Sequence, residues 1–263
     1  MHQRKQTENS DERFKEFWEM KALKYPLPFE EDTIKKTQDT ISLAKEKGVD
    51  IQDKEIFDIG CGTGIYTLPL ALEAKHVTGL DSSETMIRRL RDEALRHNIS
   101  NVTIISESWN DMDIDVVCLK KAFDIVWTSM SMAVRDREDF EKMEACSRKW
   151  CVFIGWGRTN RNPLMEEAFR NHGIRYGSHP GVSLALKTLQ GMDRHPVIEY
   201  FNDFWDWEGK LEEAIEDISG HIEMRGVTVD RDKLKGVLSK YEHGGIIRHR
   251  TDVEEGLVVW QVE

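Results

Sequence analysis

The run Glu55-Ile56-Phe57-Asp58-Ile59-Gly60-Cys61-Gly62-Thr63-Gly64 constrains this chain more than any other stretch, because an apolar segment ends in an acid and then in glycines at every second position. The apolar part predicts a strand. The glycines predict that it breaks into a loop whose backbone can lie unusually close to a bound molecule, since glycine carries no β-carbon and tolerates positive φ. A helix is expected to follow from about Ile65. The G-x-G-x-G spacing is not the dinucleotide fingerprint, which needs a small residue three positions after its second glycine; Ile65 and Thr67 stand in the two possible registers. No lysine followed by Ser or Thr closes the loop, so a triphosphate cradle is not implied either. The next acid at a predicted strand end is Asp81, in Val77-Thr78-Gly79-Leu80-Asp81, where a carboxylate can accept both hydroxyls of a ribose.

Between Lys54 and Gly157 short apolar runs alternate with helical patterns. Strands are expected near 55–59, 75–80, 101–106, 123–128 and 150–156, and helices near 65–73, 83–97 and 137–147. Such alternation predicts an α/β fold: a doubly wound, mostly parallel sheet with right-handed crossovers and helices on both faces. Ligands of these sheets sit beyond the carboxyl ends of the strands, where the glycine loop and Asp81 fall.

Ahead of this core, residues 11–47 read as two helices broken at Tyr25-Pro26-Leu27-Pro28, the second running from about Thr33 and closed by Gly48. From Arg158 to about Gly244 the pattern is mostly helical, with one strand at 197–205, and reads as an insertion. Two strand-like runs follow, Ile246 to Thr251 and Leu257 to Val262; Asp252-Val253-Glu254-Glu255-Gly256 between them predicts an antiparallel hairpin. Whether 197–205 or 246–251 forms the sixth strand is left open by the pattern. The expected organisation is a helical lid at 1–50, a core at 51–157, an insertion at 158–244 and a terminal hairpin at 245–263.

The 263 residues, 39% of them hydrophobic, suffice for a full core without disulfides. Cys61, Cys118, Cys146 and Cys151 form no C-x-x-C pair, so neither a zinc site nor a disulfide framework is implied, and a reducing cytoplasm is expected. No apolar stretch is long enough for a signal peptide or a membrane span. A net charge of −11 argues against extended nucleic-acid binding, which depends on clustered Lys and Arg. Basic residues do group at Arg158, Arg161, Arg170 and Arg175, which suits either an anionic substrate or a solvated helix face.

From about Lys54 to Gly157, and most specifically at Asp58 to Gly64 and Leu80 to Met86, the sequence resembles the class I S-adenosylmethionine-dependent methyltransferases of the broad small-molecule type. The resemblance implies a seven-stranded sheet with an antiparallel last strand, and S-adenosyl-L-methionine as cofactor. It places Asp58 at the amino group of the cofactor's methionine moiety, with Gly60, Cys61, Gly62 and Gly64 as the backbone on which that moiety rests. Asp81 would take the ribose hydroxyls with Ser82 beside it, and Met86 would pack on the adenine; taken alone, Met86 is a core residue. Glu107, with Ser108, stands where relatives usually carry an aspartate for the adenine amino group, and an exposed surface carboxylate is the other reading. Trp109 suits either stacking or packing. Trp127 would line the cofactor from the fourth strand.

On the acceptor side the expectations are Trp18 and Tyr25 as lid residues, Thr128 and Ser129 as orienting hydroxyls, Trp156 as a pocket wall, and His172, His179 and His195 as candidate bases. Each has a plainer alternative: core packing, a hydroxyl bonded to backbone, or a surface histidine. The segment after the fourth strand is not Asn/Asp-Pro-Pro-Tyr, so the usual signature of amino methylation is missing. Ala133 and Val134 occupy the place where many small-molecule relatives have histidine, which excludes a base there. Methyl transfer is an in-line displacement from a sulfonium, and positioning in a dry pocket can supply about 7–11 kcal/mol in the best intramolecular cases, so no dedicated base is obligatory. The expectation is a methyltransferase acting on a small molecule, with no metal, no nucleic acid and no membrane, as a monomer or homodimer. The alternatives are a non-catalytic cofactor-binding sensor and an aminopropyl transferase, whose acid-rich signature is not evident after the fourth strand.

Overall fold

The computed structural model describes residues 16–177 and 181–262. Apolar runs with β-branched residues become strands, and amphipathic runs opened by a side-chain cap become helices. Ser83 is one such cap: its hydroxyl accepts the Met86 N–H at 3.2 Å and starts α4 (Glu84–Arg96). Asp136 does the same for α5 (Arg137–Cys146), and Asn162 for α6 (Pro163–Asn171). The remaining helices are α1 (16–22), α2 (Glu31–Glu46), α3 (Thr67–Ala71), α7 (Gly181–Gly191), α8 (Leu211–Glu223) and α9 (Arg231–Leu238). The strands are β1 (Glu55–Ile59), β2 (His76–Asp81), β3 (Val102–Ser106), β4 (Phe123–Ser129), β5 (Ser147–Arg161), β6 (Val197–Gly209), β7 (Glu242–His243) and β8 (Ile246–Gln261).

Strand order is β3-β2-β1-β4-β5-β8-β6, with β7 paired to β8. The pairs from β3 through β5 are parallel, with Asp58 opposite both Gly79 and Trp127. Strand β8 runs against β5: the Val262 N–H donates to the Lys149 carbonyl at 2.8 Å, while Gly157 lies against Glu254, so one number rises as the other falls. By the same reasoning β6 is antiparallel to β8, since Arg248 meets Glu208 and Arg250 meets Asp206.

The chain divides into two compact units. The first comprises 22–155, 180–200 and 256–263. Its central strands β1, β2 and β4 are buried on both faces, as a parallel sheet covered by helices requires: Phe57, Ile59, Val126 and Phe153 pack with Phe140, Met143 and Trp260, while Leu68, Leu90 and Cys61 form a second cluster. Glu144 is buried within this unit and accepts from Arg194 and from the Trp260 indole. The second unit comprises 1–21, 156–179 and 201–255. Here Leu164, Phe169, Ile215, Ile218, Leu234 and Ile247 form the core. Its strands are cross-linked by the ion pairs Arg248–Glu208, Arg250–Asp206 and Arg158–Glu254.

Three expectations are corrected. The terminal hairpin is one continuous strand, β8: Asp252 to Gly256 stays extended, none of these residues takes positive φ, and Glu254 and Gly256 keep their neighbours across β5 and β6. The true tight turn lies earlier, at Gly244 and Gly245 with φ of 62° and 79°, joining β7 to β8. The two candidates for a sixth strand are both strands, 197–205 extending to Gly209 as β6. The helix expected at 65–73 is only Thr67–Ala71, because the glycine loop takes up the residues before it. Residues 11–15 of the first expected helix, and His179, lie outside the described residues. Arg158 is engaged by Glu254, and Arg161, Arg170 and Arg175 are exposed, as solvated surface residues would be.

Candidate functional site

The loop after β1 has positive φ at all three glycines: 74° at Gly60, 53° at Gly62 and 89° at Gly64. It is pinned from below, because the Gly60 and Cys61 N–H groups both donate to the Leu80 carbonyl at 2.8 and 3.0 Å. The three glycines answer to different constraints. A β-carbon on Gly60 would fall 2.1 Å from Ser131 Oγ, and one on Gly64 would fall 2.8 Å from Leu90 Cγ. A β-carbon on Gly62 would meet nothing within 4 Å. Packing explains the outer two; the middle one faces open space.

Acids flank this opening. Asp58 is 2% exposed and accepts the Thr67 hydroxyl on Oδ2 at 2.6 Å. Burial pushes its carboxyl up to about 7; the Thr67 hydrogen bond opposes that rise and the neighbouring Asp81 charge adds to it. Asp81 holds the loop from the other side: Oδ2 accepts the Gly62 N–H at 2.8 Å and Oδ1 the Ser83 N–H at 2.9 Å. The Asp81 carbonyl in turn accepts the Glu107 N–H at 3.1 Å, which brings the turn after β3 to the same place. Cys61, buried between the two carboxylates, has its thiol raised well above the ordinary range and is chemically quiet.

The segment ahead of the core reaches the loop as well. Thr63 is fully buried and donates its hydroxyl to the Pro26 carbonyl at 2.7 Å, which ties the residues around Tyr25 to the cradle, and Arg89 donates to the Ala22 carbonyl. After β4 the chain turns through Met130, a non-glycine residue at φ 49°, whose N–H donates to the Ile154 carbonyl at 2.8 Å. This turn lays Ser131 on Gly60.

The sequence-derived candidates sort accordingly. Asp58, Gly60, Cys61, Gly62, Gly64, Asp81, Ser82, Glu107 and Ser108 come together at the carboxyl ends of β1, β2 and β3. Met86 is buried in the first turn of α4, and Ser82 is exposed. Trp127 is fully buried with Tyr66 tilted over it at 5.5 Å, and among the described residues its indole N–H has no partner. Trp109 is core: it packs near Phe57 and lies 4.3 Å beneath the Lys142 ammonium. The Thr128 hydroxyl donates to the Ile59 carbonyl at 2.9 Å, a structural bond, and Ser129 is half-buried. In the other unit Trp156 packs edge-on against Trp205, and Trp18 against Phe17. His172 caps α6: Nδ1 bonds the Ala168 carbonyl at 2.8 Å and Nε2 accepts the Asp230 N–H at 3.2 Å. His195 is exposed. Thr63, Thr67 and Ser131 escaped the sequence reading. Nothing in a local pattern marks a hydroxyl nine residues past an acid, or one carried round by a left-handed methionine.

Residues 56–150 match the methyltransferase domain family. This stretch is therefore a methyltransferase domain. Solved structures share this fold at low identity. A putative methyltransferase from Bacillus halodurans aligns at TM-score 0.53 and 15% identity, over 85% of this chain and 98% of that one. The YcgJ protein from Bacillus subtilis aligns at 0.51 and 14%, with the same shares of each chain. Among curated proteins, the 23S rRNA (uracil(1939)-C(5))-methyltransferase RlmD of Stenotrophomonas maltophilia is 25% identical over 107 residues, 41% of this chain and 24% of that protein. An uncharacterized protein of Haemophilus influenzae is 31% identical over 121 residues, 46% of this chain and 43% of its own length. The chain thus spans less than half of the length of these curated relatives. Among the described residues there is no cluster of metal-ligating side chains and no helix long and apolar enough to cross a membrane.

Proposed function

We propose that this chain transfers the methyl group of S-adenosylmethionine to a small-molecule acceptor. The observation that carries the reading is the loop itself: at Gly62 there is room where any side chain would stand, with one buried acid and one half-buried acid on either side of it. These residues fit the donor's chemistry. Asp58 supplies a carboxylate for its ammonium, the Gly60 to Gly64 backbone a surface without side chains for its amino-acid end, and Asp81 acceptors for ribose hydroxyls. Ser82, Glu107 and Ser108 lie toward the adenine, and Met86 and Trp127 back the pocket from the core. When bound, the donor supplies an electrophilic methyl on a sulfonium. The protein's part is to hold the acceptor in line and exclude water.

A small acceptor rather than RNA is supported by the charge of −11 and by the arginines of the second unit, which are matched to acids at Arg158–Glu254, Arg248–Glu208 and Arg250–Asp206. The rRNA enzymes resemble this chain over only 24% of their length in the Stenotrophomonas case, so their acceptor is not carried over to this chain. Residues 158–244, with the 1–50 segment, are the acceptor-determining part in this reading, and Tyr25, tied to the cradle through Pro26 and Thr63, is the lid residue best supported by contacts. A cytoplasmic location accords with four free cysteines.

The test is incubation of purified protein with isotopically labelled S-adenosylmethionine and fractionated cell extract. Label in a low-molecular-weight product supports the proposal, and label in RNA overturns the choice of acceptor. Tight donor binding with no product from any extract replaces it with the reading of a non-catalytic sensor.

A further inference from the structure

Away from the glycine cradle, His249 is held in a single protonation state by residues that all belong to the second unit. Asn162 is fully buried and caps α6, where its Oδ1 accepts the Met165 N–H at 3.1 Å. That bond fixes which way the amide faces. Its Nδ2 end therefore points at β8, where it lies 2.9 Å from His249 Nδ1 and donates to the Thr251 hydroxyl at 2.7 Å. An amide nitrogen offers no acceptor, so Nδ1 must accept and the imidazole carries its proton on Nε2. The Thr251 hydroxyl is in turn hydrogen-bonded to Tyr176, whose own hydroxyl donates to Asn160 Oδ1 at 3.0 Å. Two bonds from one buried amide thus tie the first turn of α6 to alternate residues of β8.

The surroundings of the ring suit its neutral form. Trp207 of β6 stacks on it with centroids 5.3 Å apart and planes 8° from parallel, which holds the plane of the imidazole. Nε2 is buried and among the described residues has no partner, so no carboxylate stabilises a doubly protonated ring. The charges that act on it come from Asp217 of α8, Lys21 of α1 and Asp206 of β6. Lys21 and Asp217 are paired with each other at 2.6 Å, and Asp206 is taken by Arg250. His221 of α8 is the remaining titratable neighbour, and the two imidazoles oppose each other's charging. Burial, first among the causes, holds the His249 pKa below its ordinary 6.5.

We propose that His249 is a pH sensor that locks α6 to β8 when neutral and releases it when protonated. A proton on Nδ1 sets a ring N–H against the amide N–H of Asn162 at 2.9 Å. The amide cannot turn its oxygen to the ring without abandoning the Met165 N–H and with it the cap of the helix. The direction follows from the two states. The closed network refuses a proton that the released chain takes up below pH 6.5, so the lock is at full strength above that value and weakens as pH falls through it. The device lies within the second unit and does not depend on the identity of donor or acceptor.

Nuclear magnetic resonance of the full chain with isotope-labelled histidine reads the tautomer, and amide hydrogen exchange reads the lock. At pH 8 His249 should carry its proton on Nε2, and on acidification it should titrate below 6.5. From about pH 7.5 to about 5.5 the opening constant of the Met165 amide, corrected for the intrinsic exchange rate, should rise severalfold and at most about tenfold. His249→Asn, which keeps near the Nδ1 position an acceptor that does not titrate, should give a level profile, whereas His221→Asn should keep the wild-type rise. A proton on Nδ1 at pH 8, titration at or above 6.5, or a level wild-type profile overturns the proposal. So does a rise that persists in His249→Asn or one that is lost in His221→Asn. Because the tautomer is read in the wild type, failure of His249→Asn to fold leaves that decision intact.

Discussion

Acidification should loosen the donor from this protein, and the structure indicates by how much. Asp58 is buried, and its carboxyl is raised to about 7 by desolvation first, against the Thr67 hydrogen bond and with the Asp81 charge adding to the rise. To face an ammonium it must be ionised, so donor binding lowers its pKa and expels its proton. Below pH 7 the free protein holds that proton, and each further unit of pH weakens binding about tenfold, roughly 1.4 kcal/mol. At pH 5 the donor should bind on the order of a hundredfold more weakly than at pH 8, with a plateau above pH 8. Near pH 6 about nine-tenths of a proton should leave per donor bound, which calorimetry in two buffers of different ionisation enthalpy reads directly. Asp58→Asn should flatten the profile. A dissociation constant that stays level from pH 5.5 to 8, with no buffer dependence, would refute the assignment of Asp58 to the ammonium.

The same group carries a stability consequence of opposite direction. Its folded-state pKa lies above the ordinary value of 3.8, so between roughly pH 4 and 7 the folded state keeps a proton that the unfolded chain has lost. Stability of the ligand-free protein therefore falls as pH rises through that window. Asp58→Asn removes the effect: it should raise the melting temperature at pH 8, by a free-energy gain of at most about 4 kcal/mol, and change it little at pH 4.

Three further outcomes are expected. Gly62→Val should fold, at a cost of roughly 1–2 kcal/mol for a branched residue at positive φ, yet lose donor binding in a titration, whereas Gly60→Ala should lower the melting temperature through its collision with Ser131; normal donor affinity in Gly62→Val would count against the cradle. Asp81→Ala should weaken the donor by about 1.5–3 kcal/mol, and it also releases the Gly62 and Ser83 N–H groups; unchanged calorimetric affinity removes the ribose assignment. Glu144→Ala should destabilise the first unit by about 3–5 kcal/mol in denaturant unfolding, because it leaves Arg194 and the Trp260 indole without their buried acceptor.

Local pattern carried the core strands, the helices between them and the order of acid and glycine, and the family resemblance borne by those motifs carried the donor class. Period and spacing are properties of consecutive residues, so Glu55 to Gly64 announces a strand that breaks into a backbone-lined loop, and Val77 to Asp81 announces the next acid, whatever lies around them. Tertiary structure decided the rest. Gly60 is glycine because of Ser131 and Gly64 because of Leu90, both distant in sequence, while Gly62 alone keeps space open. The extended course of Asp252 to Gly256 follows from neighbours on β5 and β6, which supply ladder partners that no window of consecutive residues displays. Asp58 could be recognised as an acid at a strand end, but its elevated pKa arises from desolvation by the assembled core and from a threonine and an aspartate that folding brings to it. A short-range code specifies which elements form; how far a carboxylate is dried and which hydroxyl bonds it depend on long-range packing.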